Sequence, residues 1–421
     1  MNILIKSAKI LDKLSAFHKT TKDILISDGI ITKISDVITT ENVDKIIENV
    51  YVSQGWTDSS VCFGEPGFEE RETLKNGMIT AEKSGFTHVF VNPLTNPVTD
   101  TKASVLYIKN QTKNFAATAH PIGALTEQSR GEALAELFDM KSGGAVAFGD
   151  YKKAIGNNNL LKIALQYVQN FGGIVISFPN DSKIMGKGVV NEHISATRLG
   201  LKGIPALAEE LCIARDLAVL EYTGGKLHIP TISTAKSVEL IREAKNRGLD
   251  VTCSVAVHNI HFTDEILDGF DTNFKVLPPL RDKENVDALR KALKEGIIDF
   301  VTSDHNPLDI ELKFKEFDYA SFGTIGLESV FGIVNQYVDL ETTVELLTSA
   351  RGRFGIKTEP ISENIQADLT LFTPEGSYVF EKENIVSTSK NSAFLGETLK
   401  GKVIGIIANN QFVMNDWFFR I

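Results

Sequence analysis

One unit recurs along the middle of this chain: an amphipathic stretch followed by a short apolar run. His88-Val89-Phe90-Val91-Asn92 follows a helical pattern from Glu72 to Lys83, and Gly173-Ile174-Val175-Ile176-Ser177 follows one from Leu160 to Asn170. Lys226-Leu227-His228-Ile229 comes after Ile204 to Thr223, and Asp250-Val251-Thr252-Cys253-Ser254-Val255 after Ser237 to Arg247. Ile298-Asp299-Phe300-Val301-Thr302 comes after Asn285 to Glu295. A continuous apolar run reads as a strand buried on both faces, and parallel strands need a crossover helix between them. Repeated over this length, the pattern predicts a (β/α)8 barrel. An open doubly wound sheet is the alternative, but no G-x-G-x-x-G follows the first strand.

The two ends have a different texture. Ile3-Leu4-Ile5, Asp23-Ile24-Leu25-Ile26 and Ile30-Ile31-Thr32-Lys33-Ile34 read as strands, with Ser27-Asp28-Gly29 as a hairpin turn. Ala367 to Phe372 and Lys402 to Ile407 read as strands too, with Asn409-Asn410 as a turn. The expected layout is a small β-sandwich formed by both termini, residues 1–50 and 365–421, around a barrel over 51–364.

A formal net charge of -10 argues against nucleic acid or an anionic membrane surface as a main partner. No apolar run is long enough to span a bilayer, and no signal-peptide layout opens the chain. Cys62, Cys212 and Cys253 form no C-x-x-C pair and no disulfide framework, which predicts a reducing, cytoplasmic setting.

Near the start of the predicted barrel comes Gly55-Trp56-Thr57-Asp58-Ser59-Ser60-Val61-Cys62-Phe63-Gly64-Glu65-Pro66-Gly67. This resembles G-x-x-D-x-H-x-H-F-R-E-P-G of the dihydroorotases, cyclic amidohydrolases of the amidohydrolase superfamily. The resemblance continues along nearly the whole chain. Asn92-Pro93-Leu94-Thr95-Asn96-Pro97 resembles M-P-N-T-N-P, and the segment from Gly144 to Asp150 resembles the start of G-A-V-A-F-S-D-D-G. Lys275-Val276-Leu277-Pro278-Pro279-Leu280-Arg281 resembles K-V-N-P-P-L-R, and Thr302-Ser303-Asp304-His305-Asn306-Pro307-Leu308 resembles A-T-D-H-A-P-H. Phe322 to Glu328 matches F-G-x-x-G-L-E. The order and spacing of these segments, more than any one of them, carry the likeness.

The resemblance implies one or two zinc ions at the C-terminal mouth of the barrel. They would be held by histidines and carboxylates and would lower the pKa of bound water to about 7. Against that pattern, Ser60 and Cys62 stand at the first two histidine positions, Phe178 at the next and Thr231 at the last. Asp304 is kept, and Asp150-Tyr151 stands where the family has an Asp-Asp pair. Which member of that pair matches the metal ligand is left open. Gly64 replaces the arginine that would pair with a substrate carboxylate, and Leu94, Leu277 and Leu308 replace two asparagines and a histidine. Asn96 and Arg281 are the remaining candidates for substrate contacts.

Each candidate also has a structural reading. Asp304 and Asp150 can cap helices or bind loop amides, Cys62 can act as a small buried hydrophobe, and His258, His261 and His305 can be structural. With about three protein ligands normal for catalytic zinc, the sequence predicts a catalytically inert homologue, a pseudoenzyme without cofactor. Such a chain would serve as a structural or regulatory partner, the resemblance suggesting aspartate carbamoyltransferase, and would form a homo-oligomer. The alternative is an active amidohydrolase, hydrolysing dihydroorotate to N-carbamoyl aspartate, with zinc in a site rebuilt from Asp150, Asp304 and Cys62. A third reading is a binder of small neutral ligands in an apolar mouth.

Overall fold

In the computed structural model, which describes residues 1–40 and 43–415, seven strands and one single-residue bridge close into a parallel barrel. Trp56–Val61, Phe86–Val91 and Thr118–Pro121 pair in that order. Val175–Ile176, Leu227–Ile229, Val251–Ala256 and Phe300–Thr302 form the other run. Phe148 bridges the two runs through Gly123 and Val175, and Val61 pairs with His305 to close the ring. The first barrel strand is buried along its whole length. Burial on both faces explains why these segments read as unbroken apolar runs.

The intervening helices start where the chain offers caps. The Thr73 hydroxyl accepts from the Asn76 amide at the start of Leu74–Lys83. Thr234 does the same for Ala235–Asn246 and Asp282 for Lys283–Lys294. Inside Leu74–Lys83, Gly77 faces Phe63, and a Cβ there would lie 2.3 Å from Phe63 Cδ1. Gly77→Ala should therefore cost about 1–3 kcal/mol despite alanine's better helix propensity, measurable by denaturant unfolding.

Both ends of the chain enter one nine-stranded sheet. Its order is Ile365–Gln366, Ile30–Ser35, Thr21–Ser27, Asn2–Leu11, Tyr51–Gln54, Leu369–Val379, Thr398–Ala408, Gln411–Met414, with Lys45–Glu48 also on Asn2–Leu11. Tyr51–Gln54, which the sequence reading assigned to the barrel, is thus a central strand of this sheet. A separate core of Ile3, Ile5, Ile24, Val52, Leu371 and Ile407 lies within it.

Sheet and barrel meet at the N-terminal ends of the barrel strands. Trp56 packs on Phe331 and Phe372, with ring centroids 4.7 and 5.2 Å apart. Beside it, the buried Arg351 guanidinium donates to Thr57 Oγ1 (3.1 Å), Thr87 Oγ1 (2.8 Å), Asp368 Oδ2 (2.7 Å) and the Gly55 carbonyl. Asp368 also pairs with His88 Nε2 at 2.9 Å, and His88 Nδ1 lies 2.8 Å from His120 Nε2. This end of a barrel is where stability, rather than chemistry, is placed.

Candidate active site at the barrel mouth

The opposite, C-terminal ends of the strands converge on a small cavity of about 20 Å³, room for one or two waters. Its walls come from Ser60, Asn92, Asp150, Tyr151, Lys152, Phe178, Thr231 and Asp304, among others. The mouth is braced by Asp58, which accepts from the Ser60 and Ser303 amides (3.0 and 2.8 Å) and from the Thr302 hydroxyl.

Asp304 is the centre of the polar cluster. Lys152 Nζ lies 2.6 Å from Oδ2, while Tyr151 Oη (3.1 Å) and Ser60 Oγ (3.2 Å) donate to Oδ1. Ser60 Oγ in turn accepts from Asn92 Nδ2 at 3.0 Å. Asp304 is 1% exposed. Burial pushes its carboxyl above the usual range, opposed by the Lys152 charge and by hydrogen bonds from Lys152, Tyr151 and Ser60. Burial and the Asp304 charge push the Tyr151 hydroxyl far up, so it keeps its proton and acts as a donor. Asp304 and Thr231 both sit in the left-handed backbone region, at φ 49°. For a β-branched residue such as Thr231 this is a strained conformation, of the kind that gathers at functional sites.

The other candidates divide. Asp150 lines the cavity, but its carboxylate is taken up by the Leu125 and Thr126 amides (3.0 and 3.1 Å) and the Thr126 hydroxyl. Tyr151, not Asp150, is the member of the pair that reaches Asp304. Cys62 is buried near Asn92, with Nδ2 3.9 Å from Sγ. Burial first, and the Asp304 charge second, push its thiol up to about 12. Phe178 packs with Leu277, Ile204 and Ala208, so two of the replacements form one apolar wall.

Asn96 is exposed and does not line the cavity. Arg281 points inward to Ser233 Oγ, Asn191 Oδ1 and the Ile204 carbonyl, so it holds loops together and does not face the mouth. His305 accepts from the Gly326 amide, and His261 contacts Tyr337 and Glu397. At Gly64 a Cβ would come 2.1 Å from the Phe68 carbonyl oxygen, because Phe68 N–H bonds back to Gly64 O at 2.8 Å. The loop has closed over the position where an arginine would stand.

Sequence reasoning missed Lys152. The signal was present: the family's G-A-V-A-F-S-D-D-G places glycine there, and Lys152 adopts φ 54°, a backbone conformation that favours glycine.

All three cysteines are buried and free. Burial raises Cys62 and Cys212 to about 12 and Cys253 higher still. At about pH 8 the folded protein should show no rapidly reacting thiol in an Ellman titration, and three after unfolding. One fast thiol in the native protein would contradict the burial described.

The residues do not fit the zinc implied by the resemblance. Among the described residues, no group of three or more His, Cys, Asp or Glu side chains could hold a metal ion. The side chains bonded to Asp304 are the Ser60 and Tyr151 hydroxyls and the Lys152 amine, and hydroxyls are poor zinc ligands. The site rebuilt from Asp150, Asp304 and Cys62 is therefore not formed. No helix among the described residues is long and apolar enough to cross a membrane.

Known proteins share this architecture. The L-hydantoinase (dihydropyrimidinase) from Arthrobacter aurescens superposes with a TM-score of 0.85, covering 98% of this chain and 96% of its own at 22% identity, a likeness of fold. A family profile described as Dihydro-orotase-like matches residues 50–237. The dihydroorotase of Pelotomaculum thermopropionicum is 39% identical over 100% of both chains. That of Geotalea daltonii is 36% identical over 98% of this chain and 99% of its own. These full-length relatives, named as enzymes, overturn the expectation of an inert partner protein. That expectation equated lost metal ligands with an emptied site, whereas the mouth holds a connected cluster of Asp304, Tyr151, Lys152 and Ser60. By a likeness that runs along its whole length, this chain belongs to the dihydroorotase family.

Proposed function

We propose that the chain is a working cyclic amidohydrolase that interconverts dihydroorotate and N-carbamoyl aspartate at the barrel mouth. The observation that carries this reading is the full-length similarity to proteins named dihydroorotase, and the Asp304 cluster at the mouth supports it. In hydrolysis, water oxygen bonds to the ring carbonyl carbon and its proton passes to Asp304. The carbon–nitrogen bond breaks, and Asp304 returns the proton to the leaving nitrogen. A base raised by burial is better matched to neutral pH than an ordinary carboxylate. Lys152, whose ammonium carries further protons beyond the one shared with Asp304, lines the same cavity and would be the donor to the oxygen on which negative charge develops. No step is assigned to zinc, which the donor set does not fit.

A cavity of about 20 Å³ holds water but no six-membered ring. Entry of substrate therefore requires the mouth to widen, and Phe178 is the apolar side chain of that wall lining the cavity. We place the protein in the cytoplasm, where three free thiols persist. The test is turnover by the pure protein in both directions, with and without added zinc or manganese. Absence of conversion under all these conditions overturns the reading.

A further inference from the structure

We propose that Lys152 is the resident cation of the mouth, its ammonium balancing Asp304 where a site built on histidines would use a metal ion. The pair is direct, Nζ to Oδ2 2.6 Å, with the two side chains 11% and 1% exposed. A buried carboxylate must be compensated, and Lys152 is the cation lining this cavity. Its Nζ also stands 5.2 Å from the Tyr151 ring centroid, within range of a cation–π contact. The second carboxylate oxygen is engaged by Tyr151 and Ser60. Asp304 thus meets its partners on both oxygens within the chain.

The backbone supplies an independent observation. Lys152 adopts φ 54°, where glycine carries no strain and another residue does. From that backbone position its side chain reaches Asp304. The four positions where the resemblance implies histidines carry Ser60, Cys62, Phe178 and Thr231. The chain thus places an ammonium beside Asp304 and no histidine at these four positions.

The inference goes beyond the turnover reading and is tested without substrate. The wild-type protein is incubated with excess zinc, desalted and analysed for metal. Retention below about a tenth of an equivalent is expected, and about one equivalent would overturn the proposal. Thermal unfolding of Lys152→Met, Asp304→Asn and the double variant gives the second readout. Lys152→Met should lower Tm by about 5 °C, because it strands a buried carboxylate, and adding Asp304→Asn should recover most of that loss. Strictly additive losses would overturn the pairing. The zinc measurement needs no variant, so a misfolded mutant leaves it decisive. One equivalent of zinc together with turnover would sink this inference and leave the amidohydrolase reading standing. No zinc and no turnover would do the reverse.

Discussion

Asp304→Asn should lower kcat/KM for dihydroorotate by about 10³-fold, the range expected for loss of a general base. Asparagine has nearly the same shape, so Ser60 and Tyr151 keep an oxygen to donate to. What disappears is the capacity to take a proton from water and return it to the leaving nitrogen. The effect should fall on kcat more than on KM, since the carboxylate acts on the reacting atoms. Circular dichroism and Tm of the variant separate this from a folding defect. A loss smaller than about tenfold in a folded variant would remove Asp304 from the chemistry.

The largest expected effect on stability lies at the other end of the barrel. Arg351→Met should cost about 2–4 kcal/mol in denaturant unfolding, below the full range for a buried ion pair because the Asp368 side chain is 31% exposed. Arg351 is 2% exposed and binds groups from two barrel strands and from Asp368, just before strand Leu369–Val379 of the terminal sheet. Methionine fills much of the volume but leaves Asp368, Thr57 and Thr87 without their donor. The pH dependence follows from Asp368. Burial alone would raise its carboxyl, but the His88 hydrogen bond and the Arg351 and His88 charges hold it well below the usual range. A depressed folded pKa gives stability that is complete above the unfolded value of about 3.9 and is lost as pH falls further. Without Arg351 that protection shrinks, and the variant should unfold at less acidic pH than the wild type. An unfolding free energy within about 1 kcal/mol of wild type would show that the junction is held by Trp56 packing instead.

The barrel was legible because burial on both faces leaves a simple trace, an apolar run after each amphipathic stretch. Helix Ala235–Asn246 and strand Val251–Ala256 fall within a few residues of the segments read from the sequence. The central place of Tyr51–Gln54 in the terminal sheet was not legible. Its partners are Lys9–Leu11 and Leu369–Phe372, and nothing local to Tyr51 announces a strand more than 300 residues away. The same applies to Arg351, which meets Gly55 across 296 positions. At the mouth, the missing histidines could be read directly, but their consequence could not. Reading Asp304 as a lone survivor overlooked that Lys152, two residues past Asp150, swings across to it. Arg281 drew attention because it is charged and sits in a recognisable segment. Its burial among Ser233, Asn191 and Ile204 depends on loops from elsewhere in the chain.

The closed loop at Gly64 bears on how this sequence could change. With a Cβ 2.1 Å from the Phe68 carbonyl oxygen, even alanine at position 64 meets backbone and not a yielding side chain. Return of an arginine is therefore not one mutational step away. The turn from Gly64 to Phe68 would have to open first, and that opening brings no gain until the arginine arrives. The order of changes is constrained in one direction, the turn opening before any side chain can be placed at position 64. Variants selected for a stronger hold on an anionic substrate should gain their new cation from another wall of the mouth.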